Sequence, residues 1–198
     1  TMDRCILLKG GTLWPADQPA QATSIVVTKG GGTINNAAGV TLMAGALLGP
    51  GVFTKLGLGT LVLSGTNNFS GTLQVSQGTV QLGASQTLAA ASALQLAGGK
   101  LDAQDVTQSF GTPLYLRGIS RLELNLSTQL AFADSSGVAW RSGILVLQGT
   151  LGVQGLRFGT SASGLTSAQC QQIRLGSAAG PTIELNAQGY VFNPKAVG

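Results

Sequence analysis

Chemistry in this chain would have to come from very few side chains. Its 198 residues hold seven carboxylates (Asp3, Asp17, Asp102, Asp105, Glu123, Asp134 and Glu184), two cysteines (Cys5 and Cys170) and no histidine. Without imidazole there is no Ser-His-Asp or Cys-His triad, no His-ligated zinc and no histidine acid/base step. Two thiols are too few for a structural thiolate zinc site. A carboxylate pair could still serve as acid and base on a polysaccharide, or bind calcium. Only Asp102 and Asp105 are neighbours in sequence, with Lys100 and Gln104 beside them, and their position after Gly98-Gly99 reads as a solvated turn. Asp134-Ser135-Ser136 has the pattern of an Asx turn. Glu123 lies mid-strand near Arg121, which predicts a surface pair of small energetic weight. The expectation is a protein that is not an enzyme and uses no cofactor or metal.

Binding chemistry is equally sparse. Net charge is +4, from only 11 basic and 7 acidic side chains. No run of Lys/Arg occurs, whereas a nucleic-acid footprint needs clustered cations. The apolar stretch Ala37–Val52 is interrupted by Gly39, Gly45, Gly49, Pro50 and Gly51, so no helix crosses a membrane. Trp14, Tyr115, Trp140 and Tyr190 are too scattered for a sugar-stacking platform and are expected to fill the core or plug an end. Asn68-Phe69-Ser70 and Asn125-Leu126-Ser127 match glycosylation sequons, but Asn at a corner more often hydrogen-bonds within the turn.

The elements that would position these groups are short strands. Period-2 alternation recurs at Thr60–Ser64, Leu73–Val75, Thr79–Leu82, Leu94–Leu96, Leu114–Leu116, Leu122–Leu126, Ile144–Leu147 and Ile183–Leu185. Each run is bounded by Gly, Ser, Asn or Asp and places Leu, Val or Ile on one face. The dipeptide Gly-Thr introduces many of them, at Gly11, Gly32, Gly59, Gly71, Gly78, Gly111 and Gly149. Glycine is expected there to supply a positive φ at a corner, and threonine to start the strand. Glycine (30) and proline (6) stay below the roughly 25–30% of a disordered low-complexity chain. A β-sandwich would need hairpins, but Asn-Gly and Asp-Gly turns are missing. The pattern predicts instead an all-β chain, a right-handed parallel β-helix (β-solenoid). At about 20 residues per rung, roughly ten rungs would stack to about 48 Å.

The run from Gly49 to Leu82 contains Gly59-Thr60-Leu61-Val62-Leu63-Ser64-Gly65-Thr66-Asn67-Asn68-Phe69-Ser70-Gly71, then a strand, then Gly78-Thr79-Val80-Gln81-Leu82. It resembles the passenger-associated repeat of bacterial autotransporters, and Gly31–Asn35 resembles the rung that precedes it. Leu130–Trp140 and Phe158–Gln169 resemble the end of secreted repeat proteins of verrucomicrobia and related bacteria. The resemblance implies an extracellular or cell-surface β-helix and transfers no catalytic residue. A Pro-Glu-Pro-type sorting tail, a membrane β-barrel and a Lys/Arg-led signal peptide are not found in these residues, as expected of a processed or trimmed form. The whole chain, 1–198, reads as a single solenoid: N-terminal rungs over 1–48, the repeat over 49–82, further rungs over 83–160 and a helix-containing end over 161–198.

That end contains a helix signal. Thr166 and Gln169 have capping-box spacing, and Leu165 and Cys170 occupy hydrophobic-staple positions. About two turns of helix over Leu165–Ile173 are predicted, followed by Pro181 and a last strand near Ile183–Leu185. Cys5 and Cys170 fall at opposite ends of the stack, which excludes a bridge between them within one chain. The opening segment Cys5-Ile6-Leu7-Leu8 is apolar, with Asp3, Arg4 and Lys9 as nearby charges. It is predicted to join head to tail with a second copy, with a Cys5–Cys170 link between copies as a sharper variant. The function expected is a structural β-solenoid that self-associates into a fibre or surface layer. The alternative is a carbohydrate-binding adhesin passenger that holds surface glycans, and a polysaccharide-degrading β-helix enzyme ranks behind both.

Overall fold

A computed structural model describes residues 5–15, 23–39, 41–65 and 67–194. The chain winds as a parallel β-solenoid, with strands numbered in chain order. The longest sheet has nine strands: β1 (Cys5–Leu8), β3 (Thr23–Val27), β5 (Thr41–Leu48), β7 (Thr60–Leu63), β9 (Thr79–Leu82), β11 (Lys100–Asp102), β14 (Ile119–Leu124), β16 (Ile144–Gly149) and β18 (Ile173–Leu175). The second has six: β2 (Thr12–Leu13), β4 (Gly32–Asn35), β6 (Val52–Leu56), β8 (Thr72–Val75), β10 (Ala93–Leu96) and β13 (Leu114–Leu116). A third face opens only in the later rungs, from β12 (Thr107–Ser109), β15 (Gln129–Phe132) and β17 (Leu156–Phe158). One antiparallel pair, β19 (Glu184–Leu185) with β20 (Val191–Phe192), lies near the C-terminal end.

The register makes like stack on like. Leu61, Val80, Leu101, Leu122, Leu147 and Leu175 form one column of the long sheet. Phe53, Leu73, Leu94 and Leu114 form another in the second sheet, all fully buried. Each such side chain contributes roughly 1.5–3 kcal/mol of burial. On the third face, Phe110, Phe132 and Phe158 stack with centroid separations of 4.9 and 5.4 Å, and Trp140 meets Phe158 edge-on at 6.0 Å. The outer ladder of the second sheet reads Thr12, Thr33, Thr54, Gln74, Gln95, Tyr115. Parallel stacking repeats each outer position about every 4.8 Å, where like charges repel. Uncharged Thr and Gln avoid that repulsion along this ladder.

Rungs lengthen along the stack. Cys5 sits beside Ser24 and Thr60 beside Thr79, whereas Val146 sits beside Arg174, a distinctly longer step along the chain. The later rungs carry the third strand and its corners, so the longest sheet has nine strands where ten rungs were expected.

Glycine works differently from the expectation at most Gly-Thr corners. Among those dipeptides only Gly78 and Gly149 have positive φ. Gly71 has no such constraint, but a Cβ there would collide with the Gly51 carbonyl oxygen of the preceding rung. It is glycine because two backbones approach too closely for any side chain. Buried amides close other corners. Asn67 accepts from the Leu47 N–H and donates to the Gly65 carbonyl, and Gln108 accepts from Leu88 N–H and donates to Leu88 O.

The helix is shorter than predicted. α1 spans Ser167–Cys170, and its capping box between Thr166 and Gln169 is formed in both directions. It stops after one turn because Gln172 is captured by the rung below. Its side-chain amide donates to Trp140 O at 2.7 Å and Gly143 O at 2.8 Å, and its carbonyl accepts from Leu145 N–H.

Candidate functional site

Two carboxylates meet across the register of the long sheet. Asp102 and Glu123 are register neighbours on the long sheet, and Lys100 Nζ pairs with Glu123 Oε2 at 3.3 Å. The partner of Glu123 is thus Lys100 of the preceding rung, where Arg121 was expected; the parallel register brings Lys100 within diagonal reach. Asp105 sits in a turn at φ +60° and accepts from Asn125 Nδ2 at 2.8 Å. Asn125 also accepts from the Asp105 and Ser127 N–H groups, so this sequon asparagine is engaged within its corner. Asp134 accepts from both the N–H and the hydroxyl of Ser136, the expected Asx turn, and these bonds hold its carboxyl below the usual range. Among the described residues no three His, Cys, Asp or Glu side chains form a metal-sized group.

The thiols are apart. Cys5 is exposed on β1 and Cys170 half-buried at the end of α1; both are free. β1 and β18, the strand just after α1, are the two edges of the nine-stranded sheet. Eight intervals separate them, about 38 Å. Burial, reinforced by the Glu184 carboxylate, pushes the Cys170 thiol pKa up. On β1, Ile6 packs against the core, Leu8 is buried and Leu7 is 53% exposed. The strand pairs with β3 on one side, and its other edge has no partner among the described residues. Asp3 and Arg4, the expected flanking charges, lie outside the described residues.

Two aromatics depart from the expectation of core filling. Tyr115 is 42% exposed because the alternation that buries Leu114 and Leu116 turns it outward, and Trp14, just past β2, is 70% exposed. Trp140 is a core filler, donating from its indole N–H to Leu114 O at 2.8 Å.

Two features were not read from the sequence. Lys55 is fully buried, because it shares the inward face of β6 with Phe53. Its ammonium donates to the Leu56 and Gly57 carbonyls, both at 2.7 Å, and more weakly to Gln77 O at 3.4 Å. Desolvation lowers its pKa to about 8. The parity of Phe53-Thr54-Lys55 already contained that signal.

The second is a polar groove of about 140 Å³ on the outside of the third face, lined by Thr107, Ser109, Gln129, Ala131, Gln154, Arg157 and Tyr190, with Leu130 at its floor. Ser109, Ala131 and Arg157 are consecutive in one outward column, and the small Ser109 and Ala131 leave the depression beside Arg157. Arg157 lies over the Tyr190 ring at 5.7 Å, and its buried Nε has no hydrogen-bond partner. None of the lining residues is a carboxylate. Arg157 and Tyr190 are distant in sequence and meet through a backbone bridge, which no local pattern reveals.

Comparison with known proteins places this geometry. Residues 53–82 match the passenger-associated-transport-repeat family. The match covers β6 to β9, in which β6 stacks on β8 and β7 on β9, so the repeat constitutes two successive rungs and contains Lys55. Over 74 residues the chain is 42% identical to the adhesin BmaC autotransporter of Brucella suis biovar 1 (strain 1330), which is 36% of this chain and 2% of that protein. The chain therefore spans only a small fraction of the relative it matches. No solved structure matches.

Proposed function

We propose that this chain is a segment of an extracellular or cell-surface β-solenoid that acts as an adhesive passenger, working by displayed surface and without catalysis. The observation that supports this reading most is the passenger-type repeat forming two rungs in the middle of an uninterrupted parallel stack, in a chain similar to an autotransporter adhesin over 74 residues. The outer ladders of Thr and Gln fit such a role, since they offer hydrogen-bonding groups at a regular spacing without charge repulsion. Beads coated with the purified protein should be retained on animal-cell monolayers above albumin-coated beads. Equal retention would remove the adhesive role.

A second reading, head-to-tail association into a fibre or surface layer, is favoured by the outer edge of β1, which has no partner among the described residues, together with the exposed Leu7. An open strand edge templates another strand, and low net charge weakens the repulsion between copies. Such a contact uses different surfaces on the two partners and so propagates.

A further inference from the structure

The groove beside Arg157 has the composition of a ligand site more than that of a structural joint. A guanidinium carries five donors. Here the Nε donor is shielded from water with no acceptor, and the guanidinium carbon lies 5.7 Å from the centre of the Tyr190 ring. A guanidinium with one desolvated, unpaired donor keeps its demand for a counter-charge, which an anion in the groove it lines would meet through the rest of the group. Around it stand Thr107 and Ser109 hydroxyls and the exposed amides of Gln129 and Gln154, groups that both donate and accept. With about 140 Å³, the groove has room for about one sugar ring and is well below the ~300–1,000 Å³ of drug-sized sites.

We propose that this groove binds one carboxylate-bearing residue of an acidic glycan, a uronic or sialic-type sugar. Arg157 engages the carboxylate, and Gln129, Gln154, Thr107 and Ser109 hold the ring hydroxyls. A planar fork fits a carboxylate in two-point fashion, which an ammonium does not. An acidic peptide fits less well, because an Asp or Glu side chain would leave the hydroxyl and amide groups of the lining unused. The proposal rests on the adhesive reading but is separable from it, since adhesion through other surfaces would survive loss of this groove.

The test is titration of the whole protein, followed by NMR or calorimetry, with two acidic sugars and two controls. Oligogalacturonate and a sialyl-oligosaccharide are the acidic arms, and at least one should bind with a Kd of about 1 mM or tighter. The controls, carboxyl-reduced neutral oligogalacturonate and a poly-glutamate peptide, should bind at least tenfold more weakly. Arg157→Lys should lose about tenfold or more of that binding. Gln154→Ala, at an exposed position where folding is not at stake, should lose severalfold with an unchanged melting temperature. Equal binding of the neutral sugar or of poly-glutamate, no binding of either acidic sugar, or full binding by Gln154→Ala and Arg157→Lys would overturn the site. Beads that still adhere while the acidic sugars fail would overturn the groove and leave the adhesive reading intact.

Discussion

Lys55 donates a 2.7 Å hydrogen bond to the carbonyl of Gly57, two residues along its own chain, from a position that faces the core. The ammonium thus closes the corner between β6 and β7, bonding carbonyls of the half-buried Leu56 and Gly57. Gly78 of the next rung must be glycine beside it: its φ is +62°, and a Cβ would collide with the carbonyl oxygens of Gly57 and Gly59, with Lys55 Nζ next at 2.9 Å. The two positions define one packed corner of the passenger-type repeat.

That corner makes stability depend on alkaline pH. The folded-state pKa of Lys55 is about 8, against 10.5 for the ordinary side chain. Between those values the unfolded chain holds a proton that the folded chain has released, so stability rises with pH across that window. Below about pH 8 both states are protonated and the desolvation penalty is fully present. Urea unfolding should show the wild-type protein gaining stability between pH 8 and about pH 10 relative to Lys55→Met. The variant removes the desolvation penalty together with the donor to three carbonyls, so its stability should be flat across that window. Identical pH slopes for the two proteins would refute the assignment.

Close approach and backbone conformation are separable at the glycines. Gly71→Ala pushes a methyl into the Gly51 carbonyl and should cost about 1–3 kcal/mol or more. Gly11, which has no positive φ and nothing within 4 Å of a built Cβ, should tolerate alanine within about 0.5 kcal/mol. Chemical denaturation midpoints decide it; a neutral Gly71→Ala would mean that the rungs separate readily there.

The sequence made the solenoid legible through one local property, the alternation of Leu and Val with polar residues between glycine corners. That property predicted β7, β8, β9, β10, β13, β14 and β16 with their inward faces, since parity decides which side chain is buried within a strand; the run Leu122–Leu126 overreached, because β14 ends at Leu124 and Leu126 is exposed. The capping box of α1 was equally local. Rung length was not legible, because the third face adds strands whose pairing is set by the neighbouring rung, as where Gln108 meets Leu130 and Leu130 meets Leu156. Lys55 follows the parity rule, but its charge runs against burial, so the alternation alone does not single it out. The groove at Arg157 depends on a bridge to Tyr190 that only the folded end creates.

The phenylalanine ladder should behave as the keel of the later rungs. Phe132 is stacked on both sides, by Phe110 and Phe158, and is only 3% exposed. Phe132→Ala should cost about 3–5 kcal/mol. Phe132→Leu, which keeps most of the volume, should cost markedly less. Thermal unfolding of the two variants tests this, and equal losses would show that ring stacking, more than volume, carries the site.

The two thiols should differ in reactivity. Cys5 is exposed, whereas Cys170 is half-buried with its pKa raised by desolvation and by Glu184. A raised pKa leaves less thiolate, the reactive form, at neutral pH. Maleimide should therefore label Cys5 first, and Glu184→Gln should speed labelling of Cys170 without altering Cys5. Simultaneous labelling of both in the native protein would contradict the placement of Cys170. Oxidation should give a dimer through Cys5 that Cys5→Ser abolishes; a ladder of higher species would instead support the Cys5–Cys170 link.

If the edge of β1 joins copies, the joint should respond to charge placed on it. Leu7 is the exposed apolar side chain of that strand, while Ile6 and Leu8 point toward the core, so Leu7→Lys leaves the rung's packing in place. A lysine on an edge strand deters strand addition, because pairing would desolvate its ammonium beside a second backbone. The wild-type protein should show a mass that grows with concentration in light scattering, and elongated particles by electron microscopy. Leu7→Lys should remain monomeric at the same concentrations with the same circular dichroism. Association should also strengthen with salt that screens the residual positive charge, since the net charge is +4. Should the wild-type protein stay monomeric throughout, or Leu7→Lys associate as strongly, β1 is not the joint and the fibre reading falls, leaving adhesion by the single rod.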